Sequence, residues 1–496
     1  MNFIIYDVAL LLIFLVFTSV FLYKHKTNLK KEGLLFLYKT GRGIKIIERI
    51  GTKYKKLLNV LSYVSIGLGF LLMGTMIYFF GKIVWLYVFH NEIVSLIKVP
   101  PIMPLLPYLP QVFKMDYLPP FYFIYWIVIL AVVAISHEFS HGIFAINKKV
   151  KVKSTGFGFF PFFLPVFLAA FVELDEKKME KKKISHQMAI LSAGTFANTL
   201  TAIFFFGILI LFFSLAFTPS GVVYDTYTYS AIGLSAITSI NNVQITNPTY
   251  DKVLELVNDK GISEIKAGDK TYLVTKNFLT TQQNNNQYVL LYENAPAIKV
   301  NLSKTIIKVN DIAVNSKEKL GEEIQKYSPG TKIIITTFED DYDRDYPIVL
   351  VENPEDKTKS YLGIGFINKE SSGVIGKIMN LLYSFRDSNI YYIPKFNFAE
   401  FIYNLLWWLV MISLSVALVN MLPVGIFDGG RFFYLTVLAI TKSKEIAKKA
   451  FGFLTYLFLL LVLVIMIFWA IGLFKSLAYI LFLYTQGTYV LGKTEN

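Results

Sequence analysis

His137 and His141 stand four residues apart with Glu138 between them, in the run His137-Glu138-Phe139-Ser140-His141. Four residues is about one helical turn, so on a helix both imidazoles project from one face. Two neutral imidazoles so placed can share one metal ion, and the neighbouring carboxylate can take a proton from an attacking water. The chain has only five histidines in 496 residues, which weighs against this pair being ordinary packed side chains. It has no cysteine, so disulfides, thiolate metal sites and a cysteine nucleophile are excluded. Any metal must be held by nitrogen and oxygen, and Zn2+ is the ion this pattern suits.

The stretch before the motif, Phe121 to Ile135, is almost wholly apolar. Ionisable groups at membrane depth are costly and mark function, so the pattern points to hydrolysis inside a bilayer. A catalytic zinc takes a third protein ligand and keeps one position open. The best candidate lies far downstream, in Asn420-Met421-Leu422-Pro423-Val424-Gly425-Ile426-Phe427-Asp428-Gly429-Gly430. Pro423 should end a helix, and Gly429 and Gly430 allow tight turns, so Asp428 can point back among the helices. Alone it reads as a turn aspartate; beside an intramembrane H-E-x-x-H it becomes the candidate third ligand.

Hydrophobic residues make up 54% of the chain and mean hydropathy is +0.50, too apolar for an ordinary soluble domain. Six runs reach span length: 8–23 (extended by Phe3 to Ile5), 61–80, 121–146, 188–217, 401–422 and 451–474. Asp7 stands where a signal peptide would be basic, so a cleaved leader is not expected. The net charge of +14 would suggest nucleic acid in a soluble protein. Here the basic residues flank the apolar runs and read as topology signals and contacts to anionic lipid. Eleven of them, from Lys24 to Lys56, face only Glu32 and Glu48 between the first two runs, which should place that loop in the cytoplasm. Counting spans forward puts Lys148 to Lys153, Lys177 to Lys183 and Lys442 to Lys449 on the same side. Residues 219–395 then fall outside the cell.

Four regions follow: 1–120, 121–218, 219–395 and 396–496. The first holds two spans and a Pro-rich external loop from Lys98 to Pro120, expected to be extended. In the second, Gly156, Gly158, Pro161 and Pro165 break an apolar stretch that ends at Glu173. Non-helical backbone at membrane depth must be covered or line a cavity, so a re-entrant hairpin with an edge open to substrate is expected. The third carries an internal repeat: Ile240-Asn241-Asn242-Val243 and Val309-Asn310-Asp311-Ile312 share a strand–turn–strand pattern, each followed by a helix and further strands. Gly268-Asp269-Lys270 and Gly330-Thr331-Lys332 are expected to occupy equivalent turns. With Ala231-Ile232-Gly233-Leu234 and Asn294-Ala295-Pro296-Ala297 ahead of them, these units resemble PDZ domains. The first lacks the usual proline after Ser230, and the second has Lys299-Val300 where Gly-Leu is common.

The whole constellation resembles the site-2 protease family of intramembrane zinc metalloproteases. The likeness is carried by His137-Glu138-Phe139-Ser140-His141-Gly142, by Ser192-Ala193-Gly194-Thr195-Phe196-Ala197-Asn198, and by Asn420, Pro423, Asp428 and Gly429. It covers about Phe121 to Phe474, with Glu173 also in keeping and Thr195 standing where proline is commonest. The resemblance implies a polytopic α-helical membrane protein of about six spans with an extracytoplasmic α+β insertion of two PDZ-like units. It implies His137, His141 and Asp428 as zinc ligands and Glu138 as general base. Asn198 and Asn420 would hold the substrate backbone or an oxyanion, although an amide in a span also serves as an interhelical hydrogen bonder. The implied substrate is a transmembrane protein, cut in or near its span in a prokaryotic cell membrane. The competing reading is a transporter, a metal or proton relay, or a PDZ scaffold without proteolytic activity.

Overall fold

The computed structural model describes residues 3–32, 35–90, 105–115, 118–159, 168–282, 287–367 and 384–491, with isolated positions between 373 and 381. Two compact units form, Met1–Leu211 with Glu400–Asn496, and Phe212–Ala399.

The first unit is mainly helical among the described residues. Its α-helices are α1 (Phe3–Lys24), α2 (Ile44–Lys53), α3 (Lys55–Phe89), the single-turn α4 (Leu109–Val112), α5 (Phe123–Asn147), the short α6 (Glu176–Glu180), α7 (Ile184–Ala216), α8 (Ala399–Val419), α9 (Asp428–Thr441) and α10 (Lys444–Leu491). Six of them, α1, α3, α5, α7, α8 and α10, are long and apolar enough to cross a membrane. All six expected runs fall on these helices. Backbone α10 continues unbroken to Leu491, past the run expected to end at 474. Within the Pro-rich segment the described part is not wholly extended. Pro110 sits in the first turn of α4, where a missing N–H costs nothing. Residues 91–104 and 116–117 lie outside the described residues.

Asp7 has a structural task. It is 2% exposed and accepts from Phe123 N (2.7 Å), Ile124 N (3.0 Å) and the Tyr108 hydroxyl (2.5 Å). Tyr122, at the N-cap of α5, supplies no side-chain bond, so an acid from α1 satisfies the open N–H groups of the H-E-x-x-H helix. At its other end, Lys148 donates to Asn59 of α3 (2.9 Å).

The basic segment after α1 is more than a topology signal. It forms β1 (Leu29–Glu32) and β2 (Leu35–Thr40), which join β3 (Val152–Phe159) and β4 (Leu168–Leu174) in one antiparallel sheet of order β1-β2-β3-β4. Tyr38 pairs with Phe157 and Thr155 with Val172. Sharing a sheet sets the two segments side by side. The expected hairpin after α5 is thus β3 and β4, while its tip, including Phe160, Pro161 and Pro165, lies outside the described residues. Among the described residues, sheet order leaves β4 as an edge strand.

Beside two-stranded pairings of Val351–Glu352 with Ser360–Tyr361 and of Thr226–Tyr227 with Ile364–Gly365, the second unit holds two larger sheets. One has six strands drawn entirely from residues 229–293. The other adds Phe217–Val223 and Ile390–Pro394 to strands between Thr305 and Val349, so the first sheet is nested within the chain path of the second. Each has a two-residue turn with both residues at positive φ, Asn241-Asn242 (48° and 67°) and Asn310-Asp311 (46° and 66°), a geometry Asn and Asp tolerate. The repeat registers differently from the sequence expectation. Asn241 Oδ1 accepts from Glu264 N, and Asn310 Oδ1 accepts from Ile334 N. Those bonds match Ser263–Ala267 with Lys332–Glu339. The Gly268-Asp269 turn is therefore equivalent to Asp340-Asp341, not to Gly330-Thr331.

Candidate metal centre

One turn of α5 carries both histidines, buried at 7% and 8% exposure. Their Nε2 atoms lie 3.1 Å apart, and Asp428 Oδ2 lies 3.3 Å from that of His137 and 3.2 Å from that of His141. Asp428 reaches them from the first residue of α9. The turn before it doubles back so tightly that Gly429 N donates to Asn420 O at 2.7 Å. A Cβ on Gly429 would fall 2.3 Å from the Met421 carbonyl carbon, and one on Gly430 2.3 Å from the Val424 oxygen. Only glycines fit there.

The donor triangle can be tested against a metal by size. Zinc–ligand distances near 2.0–2.1 Å and tetrahedral angles put ligand atoms about 3.3 Å apart. The three edges, 3.1, 3.2 and 3.3 Å, match one face of such a tetrahedron. Among the described residues these three form the group able to hold a metal ion, with ligand atoms all within 4.8 Å.

α7 backs the cluster. The Ile190 carbonyl lies 2.7 Å from His141 Nδ1, and the Asn198 amide lies 3.0 Å from His137 Nδ1. Between them, a Cβ on Gly194 would come within 2.5 Å of His137 Cε1 and His141 Nε2. Glu138 lines the same cavity as the triangle and is held by β4, where Val172 N donates to its Oε2 at 3.0 Å. A cavity of about 730 Å3 opens over the group. Ile129, Leu130, Val133, Ile412 and Val416 line it, as do Lys153, Glu173, Glu176, Arg431 and alternate residues Ala170, Val172 and Leu174. Asn420 also lines this cavity, whereas Asn198 is fully buried against His137.

A family model described as peptidase family M50 matches residues 125–465, a stretch that includes both histidines, Glu138 and Asp428. The chain belongs to peptidase family M50. This is the site-2 protease family that the sequence motifs resemble. M50 peptidases are zinc metalloproteases, and the donor set of this M50 chain, two imidazoles and a carboxylate, is one zinc accepts. An uncharacterized protein of Methanocaldococcus jannaschii is 33% identical over 216 residues, which are 42% of this chain and 51% of that protein. The chain thus spans about half the length of the curated relative it matches.

Reading the sequence alone did not single out Ile190, Ser136 or Val172. A signal for the first was available. Ile190, Gly194 and Asn198 recur every four residues and share one face of α7. For Val172 there was none, because a backbone N–H on an edge strand has no sequence signature.

Proposed function

We propose that this M50 peptidase is an intramembrane zinc metalloendopeptidase that cuts membrane-anchored proteins within or near their transmembrane segments. The observation that carries the reading is the triangle of His137, His141 and Asp428 with its 3.1–3.3 Å edges, set beside Glu138 in a partly apolar cavity. These three residues would hold Zn2+, which when bound polarises a scissile carbonyl and lowers the pKa of water to about 7. Glu138 takes a proton from the attacking water and returns one to the leaving amine. Asn420, at the cavity wall, holds the substrate backbone or the developing oxyanion. The free edge of β4 pairs with an unwound substrate segment, a mode of recognition that needs little side-chain information. The charge bias of the chain supports a reading in which the PDZ-like units lie outside the cytoplasm and take peptide ends or restrict access by size.

Elemental mass spectrometry of the full-length, detergent-purified chain tests this. About one zinc per chain is expected, reduced in His141→Ala and Asp428→Ala. Glu138→Ala should keep its zinc and lose cleavage of a reporter transmembrane segment by about 10²–10⁴-fold. A chain without zinc, or zinc indifferent to Asp428, would favour the relay or scaffold instead.

A further inference from the structure

The two histidines differ in what holds the far side of each ring. His141 Nδ1 faces the Ile190 carbonyl at 2.7 Å, and a carbonyl only accepts. Its Nδ1 therefore carries the ring proton, and Nε2 presents a lone pair to the cluster. His137 Nδ1 instead faces the Asn198 side chain, which can donate or accept. Asn198 Nδ2 lies 3.0 Å from His137 Nδ1, while Ser136 Oγ donates to Asn198 Oδ1 at 3.3 Å. In that arrangement His137 Nδ1 accepts and the ring proton sits on Nε2, directed at the cluster.

A metal on His137 Nε2 needs the opposite polarity, with Nδ1–H donating to an acceptor. Asn198 is fully buried and its amide already occupies the place beside His137 Nδ1, so the acceptor has to come from that amide. A half-turn of the amide does so without changing its shape. Oδ1 then accepts from His137 Nδ1–H, and Nδ2 donates to Ser136 Oγ. The serine must turn its own proton elsewhere, and the Val133 carbonyl, 3.1 Å from Ser136 Oγ, accepts it. The chain Val133–Ser136–Asn198–His137 is satisfied in either direction, so reversal leaves no buried polar group without a partner.

We propose that Asn198 is a positioning residue for the metal: its amide, reversed against Ser136, selects the His137 tautomer that presents Nε2 to zinc. This rests on the zinc reading above and departs from a role for Asn198 in holding substrate, since its amide is enclosed between Ser136 and His137.

Zinc affinity of the full-length protein, measured by chelator competition in detergent, tests it independently of activity. Asn198→Leu has no acceptor and should bind zinc about 10–100-fold more weakly, while Asn198→Asp, whose oxygens only accept, should match the wild type or bind more tightly. Ser136→Ala, which removes the acceptor for the reversed amide, should bind more weakly by a smaller factor than Asn198→Leu. Elution profile and thermal unfolding of the chelated proteins report folding. Folded Asn198→Leu with wild-type zinc affinity overturns the proposal and returns Asn198 to a substrate role. If Asn198→Leu does not fold, the other two variants decide: Asp tight with Ala weakened supports the proposal, and a tenfold loss in Asp overturns it. A wild-type chain that takes no zinc removes the zinc reading itself, and the proposal with it.

Discussion

Gly194 contributes no side chain, and that is what lets α7 lie against both imidazoles. A methyl group there would sit 2.5 Å from ring atoms of His137 and His141, in the space the ligand atoms face. Neither ring can retreat, because His141 is tied to the Ile190 carbonyl and His137 to Asn198. Gly194→Ala should therefore lower zinc affinity by at least about tenfold, comparable to losing an outer-shell partner. Gly207 lies on the same helix with open space around it, so Gly207→Ala is the matched control and should leave zinc binding unchanged. Chelator competition on the two purified variants reads the difference; equal affinities would mean that α7 can shift away freely.

The element that sets Glu138 is the four-stranded sheet, because its edge strand carries Val172. Near the end of that edge strand, Glu173 accepts from the Ser154 hydroxyl (2.6 Å) and pairs with Lys39 of β2 (2.9 Å). These contacts, the Ser154 hydroxyl first and then the Lys39 ammonium, hold its carboxyl below the usual range. A carboxylate with a depressed folded pKa adds stability that is complete above its unfolded value, about 4.3, and is lost as pH falls through the folded value. Its side chain is 34% exposed, so solvent screening limits the gain to within about 1 kcal/mol. Glu173→Gln should melt below the wild type at pH 7, and the gap should narrow as pH drops from about 5 towards 3. Melting curves across that range check it, and a gap that widens on acidification refutes it. A second tie acts on the helix bearing Asp428: Arg431 of α9 meets Glu176 of α6 at 3.3 Å.

At the scale of the whole molecule, a membrane helix is a poor substrate because its carbonyls are held in i→i−4 bonds. For the proposed intramembrane cleavage, local unwinding has to come first, and an unwound segment in lipid needs a partner for its backbone. The β4 edge beside Glu138 offers one. Replacing Gly, Asn or Pro by Leu within a substrate span should therefore slow turnover. Gly158→Pro, which breaks the ladder between β2, β3 and β4, should slow all substrates alike. Single-turnover cleavage of paired reporters in detergent measures both effects, and unchanged rates would remove strand pairing from the mechanism.

Much of the site was legible along the chain. The spacing of His137 and His141 sets their common face, and apolar run lengths set the spans, because helix periodicity and burial are local properties. Asp428 was recognisable as an acid among turn-forming residues, since proline and glycine mark backbone geometry wherever they stand. Other features arise only when distant segments meet. The basic loop after α1 became β1 and β2 by pairing with β3, and no periodicity in residues 24–40 announces a partner beyond residue 150. Asp7 looked misplaced until the open end of α5 was brought to it. Asn198 was legible as an amide among the helices, and the packing of α7 on α5 set it against His137. Local chemistry chose which residues could act, whereas their partners were decided by contacts between segments far apart in sequence, which leave no pattern in either segment alone.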